Sequence, residues 1–297
     1  MTDTTAPLVP PTVLRLTLVG TAFSLLWSSA FIAGKIGLSV AAPLTLLSLR
    51  FLLAGALLYV GLRLSGRRLQ SVGSNTLAAG LLTNAAYLGL TYTGMTTVPA
   101  ALTAILVCTA PLLTSALAAL WLGESLRPRA ILGLLLAFAS VLMIMGRRLH
   151  VDGLDPWAVA AICAGSLALA GGTLLNRRVA GRVDPWQAAT AQLLAAGLTL
   201  LPLAALLEGL RFEAGGAFFG SLFYQAGPVS IGTTLMLLWL VRHGGAGRAS
   251  SFHLLNPFFS IALAAALLGE TLGTPDLLTL VPLVVGMAMA LPRPTAR

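Results

Sequence analysis

Residues Pro111 to Leu126 read PLLTSALAALWLGESL, and 146 positions later Pro257 to Leu272 read PFFSIALAAALLGETL. Nine of the sixteen positions are identical, among them the proline, the Ala-Leu-Ala-Ala core and the Gly-Glu pair. In a chain that is 57% hydrophobic, leucine and alanine coincide cheaply. Pro, Gly and Glu in register do not. The match reads as two copies of one unit. Its register extends outward: with an offset of 142, PLTLLSLRFLLAGALL (43–58) lies over PWQAATAQLLAAGLTL (185–200), which sets Arg50 over Gln192 and Lys35 over Arg177. With the offset of 146, Arg147 falls over Arg293. The repeats run about 1–147 and 155–297 within one membrane domain, 1–297.

Composition sets the solvent. Only 9% of residues are charged and mean hydropathy is +0.92, against about 25% charged in a soluble domain. Such a chain cannot cover a water-facing surface. The net charge of +9 comes from residues scattered between apolar segments, not from the clustered basic face that nucleic-acid binding needs. The expected partners are the lipid bilayer and a small molecule, with no nucleic acid, and a monomer suffices. Cys108 and Cys163 lie in apolar runs and read as small buried hydrophobes. The polar, Pro-rich first residues carry no signal-peptide pattern. No phosphate-binding loop and no cofactor or metal motif is present, so no cofactor or metal is expected.

A spanning helix takes about 20 apolar residues. Ten segments qualify: 14–34, 43–62, 75–94, 98–121, 129–146, 155–175, 186–207, 216–240, 247–268 and 275–291. Lys and Arg accumulate on the cytoplasmic side. With both termini inside, thirteen of them fall there and four outside. Five crossings per repeat is odd, so the copies face opposite ways. The predicted fold is an all-α integral membrane protein, ten transmembrane helices as two inverted five-helix repeats. Such repeats are a frequent architecture of secondary transporters.

The pattern resembles the drug/metabolite transporter superfamily, in its ten-helix, two-repeat branch. The residues that carry the resemblance are Trp27-Ser28-Ser29 with Phe31 and Lys35, Arg50-Phe51, and the two Pro…Gly-Glu helix ends. The resemblance implies export of small metabolites across a bacterial-type inner membrane. The nearest likeness is to exporters of aromatic and other amino acids. Where helix 6 of that branch often carries a Trp, this chain has Leu169-Ala170-Gly171.

Polar side chains inside a span face the bundle interior or a water-filled cavity. Helix 1 carries Thr17, Thr21, Ser24 and Ser28 on one face, flanked by Trp27. In helix 3, Asn84, Tyr87 and Thr91 share a face, and Tyr92 reads as an interface-belt residue. His253 and Asn256 lie where the first repeat has Val107 and Ala110. The substrate-binding expectation is Ser24, Trp27, Ser28, Arg50, Asn84, Tyr87, Thr91, Gln192, His253 and Asn256. The bland alternative is that the Ser, Thr, Asn and His groups glue helices together. Arg50 is either a carboxylate anchor or a snorkelling or ion-paired structural cation. Pro111 and Pro257 are expected as gating kinks, and Glu124 and Glu270 as helix-end caps. No span interior holds an acid, so His253 is the one relay candidate there. The expected mechanism is alternating-access export of amphipathic metabolites, amino acids foremost. The alternatives are a different metabolite or drug carrier, or a facilitative channel. No nucleophile or acidic cluster points to an enzyme.

Overall fold

Prolines and glycines punctuate this chain. The computed structural model describes residues 13–123, 128–151, 153–179, 182–244, 252–270 and 273–290. Helices α1 (Val13–Leu38) and α2 (Pro43–Leu64) are unbroken. Helix α3 runs as Ser74–Gly80, a π-helical stretch Leu81–Ala86, and Tyr87–Met95. Helix α4 has two parts, Ala100–Val107 and Ala110–Leu122. Next come α5 (Pro128–Val151), α6 (Pro156–Val179) and α7 (Pro185–Glu208). Helix α8 repeats the plan of α3: Gly216–Tyr224, a π-helical stretch Gln225–Gly232, then Thr233–Gly244. Helix α9 enters as a 3-10 turn, Phe252–Leu255, and continues as Asn256–Leu268. Helix α10 is Thr274–Ala290. The ten sequence segments match these helices within a few residues at most ends, while α5 runs on to Val151. The start of the ninth segment and Glu124 lie outside the described residues.

Four helices open on proline, where the missing N–H costs nothing. Asp184 caps α7, accepting from Trp186 N and Gln187 N, both at 3.1 Å. Pro111 and Pro257 sit in the first turn of the second part of α4 and of α9. Each helix is interrupted just before its proline, so the ring occupies a fresh N-terminus rather than a continuous interior.

Among the described residues, five helices are long and apolar enough to span a bilayer on their own: α1, α2, α4 (as Ala100–Trp121), α6 and α7. The π-helical stretches divide α3 and α8 into shorter pieces. Leucines such as Leu14, Leu57, Leu142 and Leu206 stay exposed on the outside. They form the lipid-facing surface of a helical membrane protein.

The repeats are inverted, and α2 with α7 shows it. Glu208, at the end of α7, holds the start of α2: its carboxylate accepts from Leu44 N and Thr45 N, both at 2.9 Å. At the other end of α2, Arg67 pairs with Asp184 at 3.0 Å, and Gln187 bonds both Gln70 N (3.0 Å) and Arg68 O (2.9 Å). Equivalent helices therefore run antiparallel. At their crossing, Gly55 faces Leu194 and Gly197 faces Leu52. Those pairs exchange under the offset of 142, so the pseudo-twofold axis passes here. The neighbours obey the same exchange: α1 packs on α8 and α9 as α6 packs on α3 and α4, and α5 packs on α10.

The Gly-Glu ends have separate physical roles. Gly123 and Gly269 close their helices at φ 65° and 67°, a left-handed conformation that favours glycine. Glu270 then reaches across to α4, accepting from Ala100 N at 2.8 Å and Ala101 N at 3.0 Å. A carboxylate there also offsets the positive end of the helix dipole. Lys35 treats the preceding turn oppositely, donating to Met95 O at 2.6 Å and Val98 O at 3.2 Å. Glu270→Gln leaves one oxygen for two donors, so we expect a loss of about 1–2 kcal/mol. It will read as a lower thermal midpoint in detergent; an unchanged midpoint would mean that the contact contributes nothing.

These contacts define two ends of the bundle. At one lie Lys35, Glu208 and Glu270, where Ala42 N also bonds Arg211 O at 3.0 Å and Glu213 N bonds Val40 O at 2.7 Å. At the other lie Arg67, Asp184 and Gln187. Burial alone would raise the Asp184 carboxyl. The Arg67 hydrogen bond and the backbone donors of Gln187 and Trp186 outweigh it and hold the group below the usual carboxylate range.

Candidate functional site

The two π-helical stretches lie in the third helix of each repeat and face a cavity of about 530 Å³. A π-helical turn adds a residue to the helix and is frequent at functional sites. Here the first brings Thr83 and Asn84 to the cavity, and the second brings Val229 and Ser230. Helix α1 contributes Trp27, Ala30 and Phe31; α6 and α7 contribute Leu169, Asn176, Gln192 and Leu193. The wall is chiefly apolar with a few polar groups, the usual make-up of a small-molecule site.

The cavity is one-sided. Val179, Val183 and the exposed Pro185 line it at the Arg67 end of the bundle. At the opposite, blind end stands Arg50, only 5% exposed. Its Nε donates to Ser230 Oγ at 3.1 Å, and its Nη1 donates to Tyr92 Oη at 3.1 Å and Gln225 Oε1 at 2.9 Å. Tyr92 donates in turn to Gln225 Oε1. Gln225 Nε2 donates to Ser221 Oγ at 2.8 Å, which donates to Ala33 O at 2.6 Å. Every one of these partners is neutral. Among the described residues no carboxylate lies within ion-pair distance of Arg50, and its Nη2 has no hydrogen-bond partner. A buried cation without a counter-charge is costly. The neutral network lowers that cost and leaves the charge in place.

Of the residues singled out by sequence, Trp27, Arg50, Asn84, Tyr87 and Gln192 line the cavity. Ser24, Ser28, His253 and Asn256 stand outside its lining, in the seam between α1 and α9. Ser24 Oγ donates to Asn256 Oδ1 at 2.5 Å, Ser28 Oγ donates to Asn256 O at 3.1 Å, and Asn256 Nδ2 lies 3.1 Å from His253 Nδ1. The His253 ring is walled in edge-on by Phe23 and Trp27, at 5.1 and 5.3 Å between centroids. In this seam the polar groups satisfy one another, which is helix glue. Thr91 is buried against Gly165 of α6, also outside the lining. Tyr92, read from sequence as an interface residue, is instead 1% exposed and bonded to Arg50. Gln225, Ser230 and Asn176 carry no sequence signal beyond a polar residue in a span, although Gly227-Pro228 beside Ser230 marks an irregular helix.

Comparison with known proteins follows the same two halves. A sequence model of the EamA-like transporter family matches the chain twice, over residues 16–146 and 156–291. An Escherichia coli protein described as "Uncharacterized inner membrane transporter YedA" is 30% identical over 279 residues, 89% of this chain and 87% of that protein. A Bacillus subtilis protein, "Uncharacterized transporter YvbV", is 28% identical over 261 residues, 84% of this chain and 82% of its own. One solved crystal structure superposes with a TM-score of 0.70 at 21% identity, over 93% of this chain and 96% of that one. At that identity the likeness is one of fold.

Proposed function

The chain belongs to the EamA-like transporter family, and from that premise we propose an inner-membrane exporter of small amphipathic metabolites bearing a carboxylate, amino acids and their derivatives foremost, working by alternating access. The observation that carries this reading is Arg50, a buried cation whose Nη2 has no partner among the described residues, at the blind end of an apolar cavity. A carboxylate supplies the missing counter-charge, and Arg presents a fork suited to it. The apolar wall, with Trp27 and Tyr87, takes the remainder of the molecule by area burial, about 25 cal/mol per Å².

Orientation follows the arginines. We place both termini in the cytoplasm, because thirteen Lys and Arg then fall inside and four outside. The cavity then opens to the cytoplasm while Glu208, Glu270 and Lys35 hold the outer ends together. That is the loading state of an exporter. Opening the other way requires those outer contacts to part.

Proteoliposomes containing the protein and a panel of labelled amino acids and related carboxylates will show saturable, competed efflux. Linear flux without competition would replace the carrier with a pore. Trp27→Ala will raise KM for aromatic substrates about tenfold, equivalent to about 1.4 kcal/mol, and leave small aliphatic ones little changed. Equal effects on both would remove Trp27 from the recognition surface.

A further inference from the structure

We propose that the cavity selects monoanions, amphipathic carboxylates whose nitrogen is uncharged or absent, over zwitterionic amino acids. The proposal rests on the carrier reading above and narrows its substrate class.

The charge inventory of the wall is the first argument. Among the described residues, Arg50 is the charged side chain in the lining, and Asp, Glu and Lys do not occur in it. The other polar groups, Asn84, Asn176, Gln192 and the hydroxyls of the lining Thr, Ser and Tyr residues, are neutral. A bound monoanion brings the enclosed site to zero charge. A zwitterion leaves it at plus one. It also sets an ammonium beside a guanidinium in a low-dielectric space, where like charges repel strongly. Among the described residues, no acid on this wall would receive the ammonium.

The second argument concerns the neutral groups. Gln192 Nε2 donates to Asn176 Oδ1 at 2.8 Å. Among the described residues this leaves Gln192 Oε1 without a donor and Asn176 Nδ2 without an acceptor. One free acceptor beside one free donor matches an amide, which offers one of each. Among the described residues Asn84 is engaged through Nδ2 alone, at 3.4 Å from Thr83 Oγ1, which leaves its carbonyl oxygen unengaged there as well. A monoanion sets its carboxylate at Arg50 and its apolar body along Leu88, Leu169 and Leu193, and the Gln192–Asn176 pair meets a neutral polar group further toward the mouth.

The third argument is the entrance. Arg177, Arg178 and Arg182 are exposed around Val179 and Val183, which line the mouth. Arg63 and Arg68 are exposed at the same end of the bundle. Asp184 is the acid found there among the described residues, and Arg67 already engages it. A cationic mouth raises the local concentration of anions and disfavours cations.

The test uses the full chain reconstituted in liposomes, with two matched sets of probes. Assayed at about pH 6, where an α-amino group is protonated, phenylalanine, N-acetylphenylalanine and phenylalanine methyl ester share a side chain and carry charges of zero, minus one and plus one; the leucine series repeats the comparison. Affinity is read by competition against labelled N-acetylphenylalanine and by ligand-induced change in tryptophan fluorescence. We expect the N-acetyl acids to bind at least tenfold tighter than the amino acids, with the esters weakest. Arg50→Gln should weaken the N-acetyl acids at least tenfold and erase the preference. Arg50→Lys, which keeps the charge, should retain part of it. A zwitterion that binds as tightly as its N-acetyl derivative overturns this inference and leaves the carboxylate carrier standing. Transport of the esters alone, or binding by none of the six probes, overturns both.

Discussion

Gly55→Val and Gly197→Val will each deprive the protein of its stable fold, and by comparable amounts. A Cβ built on Gly55 would lie 2.7 Å from Leu194 Cδ2 and 3.1 Å from Leu194 N. One built on Gly197 would lie 2.7 Å from Leu52 Cγ and 2.9 Å from Leu52 N. Side-chain ends can yield; backbone nitrogen in a packed helix cannot without separating α2 from α7. Overpacking typically costs about 1–3 kcal/mol, and this crossing belongs at the upper end because both helices bear on one point. Size-exclusion profiles and thermal midpoints in detergent will report the loss. Relief should be unequal. Leu194→Ala removes the nearest contacts at Gly55 and will restore much of Gly55→Val. Leu52→Ala leaves the 2.9 Å backbone contact at Gly197 and will restore less. A well-folded Gly197→Val protein would mean that the crossing is looser than the pseudo-twofold packing requires.

The same crossing shows what could be read from the sequence. Gly55 over Gly197 and Leu52 over Leu194 are visible as letters in register. An odd number of spans then dictates inversion without any coordinates. Five of the ten proposed site residues line the cavity for a similar reason: a polar or aromatic group in a span needs an interior to face. What escaped has two physical causes. A polar stripe reports which face of a helix turns inward, but not whether water or another helix waits there. Ser24, Ser28, His253 and Asn256 met one another. The second cause is the π-helical geometry of Leu81–Ala86 and Gln225–Gly232. Each bond there spans five residues rather than four, so the 3.6-residue count across it loses phase. Tyr92 lies beyond the first stretch in regular helix; a tyrosine near a helix end reads as an interface residue, and here it stands inward, bonded to Arg50. Ser230, held through Gln225 O at 2.8 Å, owes its aim at Arg50 to a turn that periodicity does not reveal.

Arg50→Met will cut transport of carboxylate substrates about 100-fold while leaving a folded protein. The fold should survive because the surrounding groups satisfy one another without the guanidinium. Tyr92 still donates to Gln225 Oε1, Gln225 Nε2 to Ser221, and Ser230 Oγ to Gln225 O. Removing a buried charge that has no ion-pair partner also removes its desolvation penalty, so the thermal midpoint should hold or rise. Binding is another matter. A charge-assisted hydrogen bond contributes about 1.5–3 kcal/mol, and 100-fold corresponds to about 2.7 kcal/mol. Arg50→Lys separates charge from geometry. A lysine ammonium has three donors and no planar fork, so it cannot serve Ser230, Tyr92, Gln225 and a ligand together. An intermediate KM with near-normal maximal flux is expected. Thermal midpoint and transport should thus move in opposite directions for Arg50→Met. If the midpoint falls and the flux per folded molecule stays at the wild-type level, Arg50 is a strut between α2, α3 and α8, and the anion site must be sought elsewhere in the cavity.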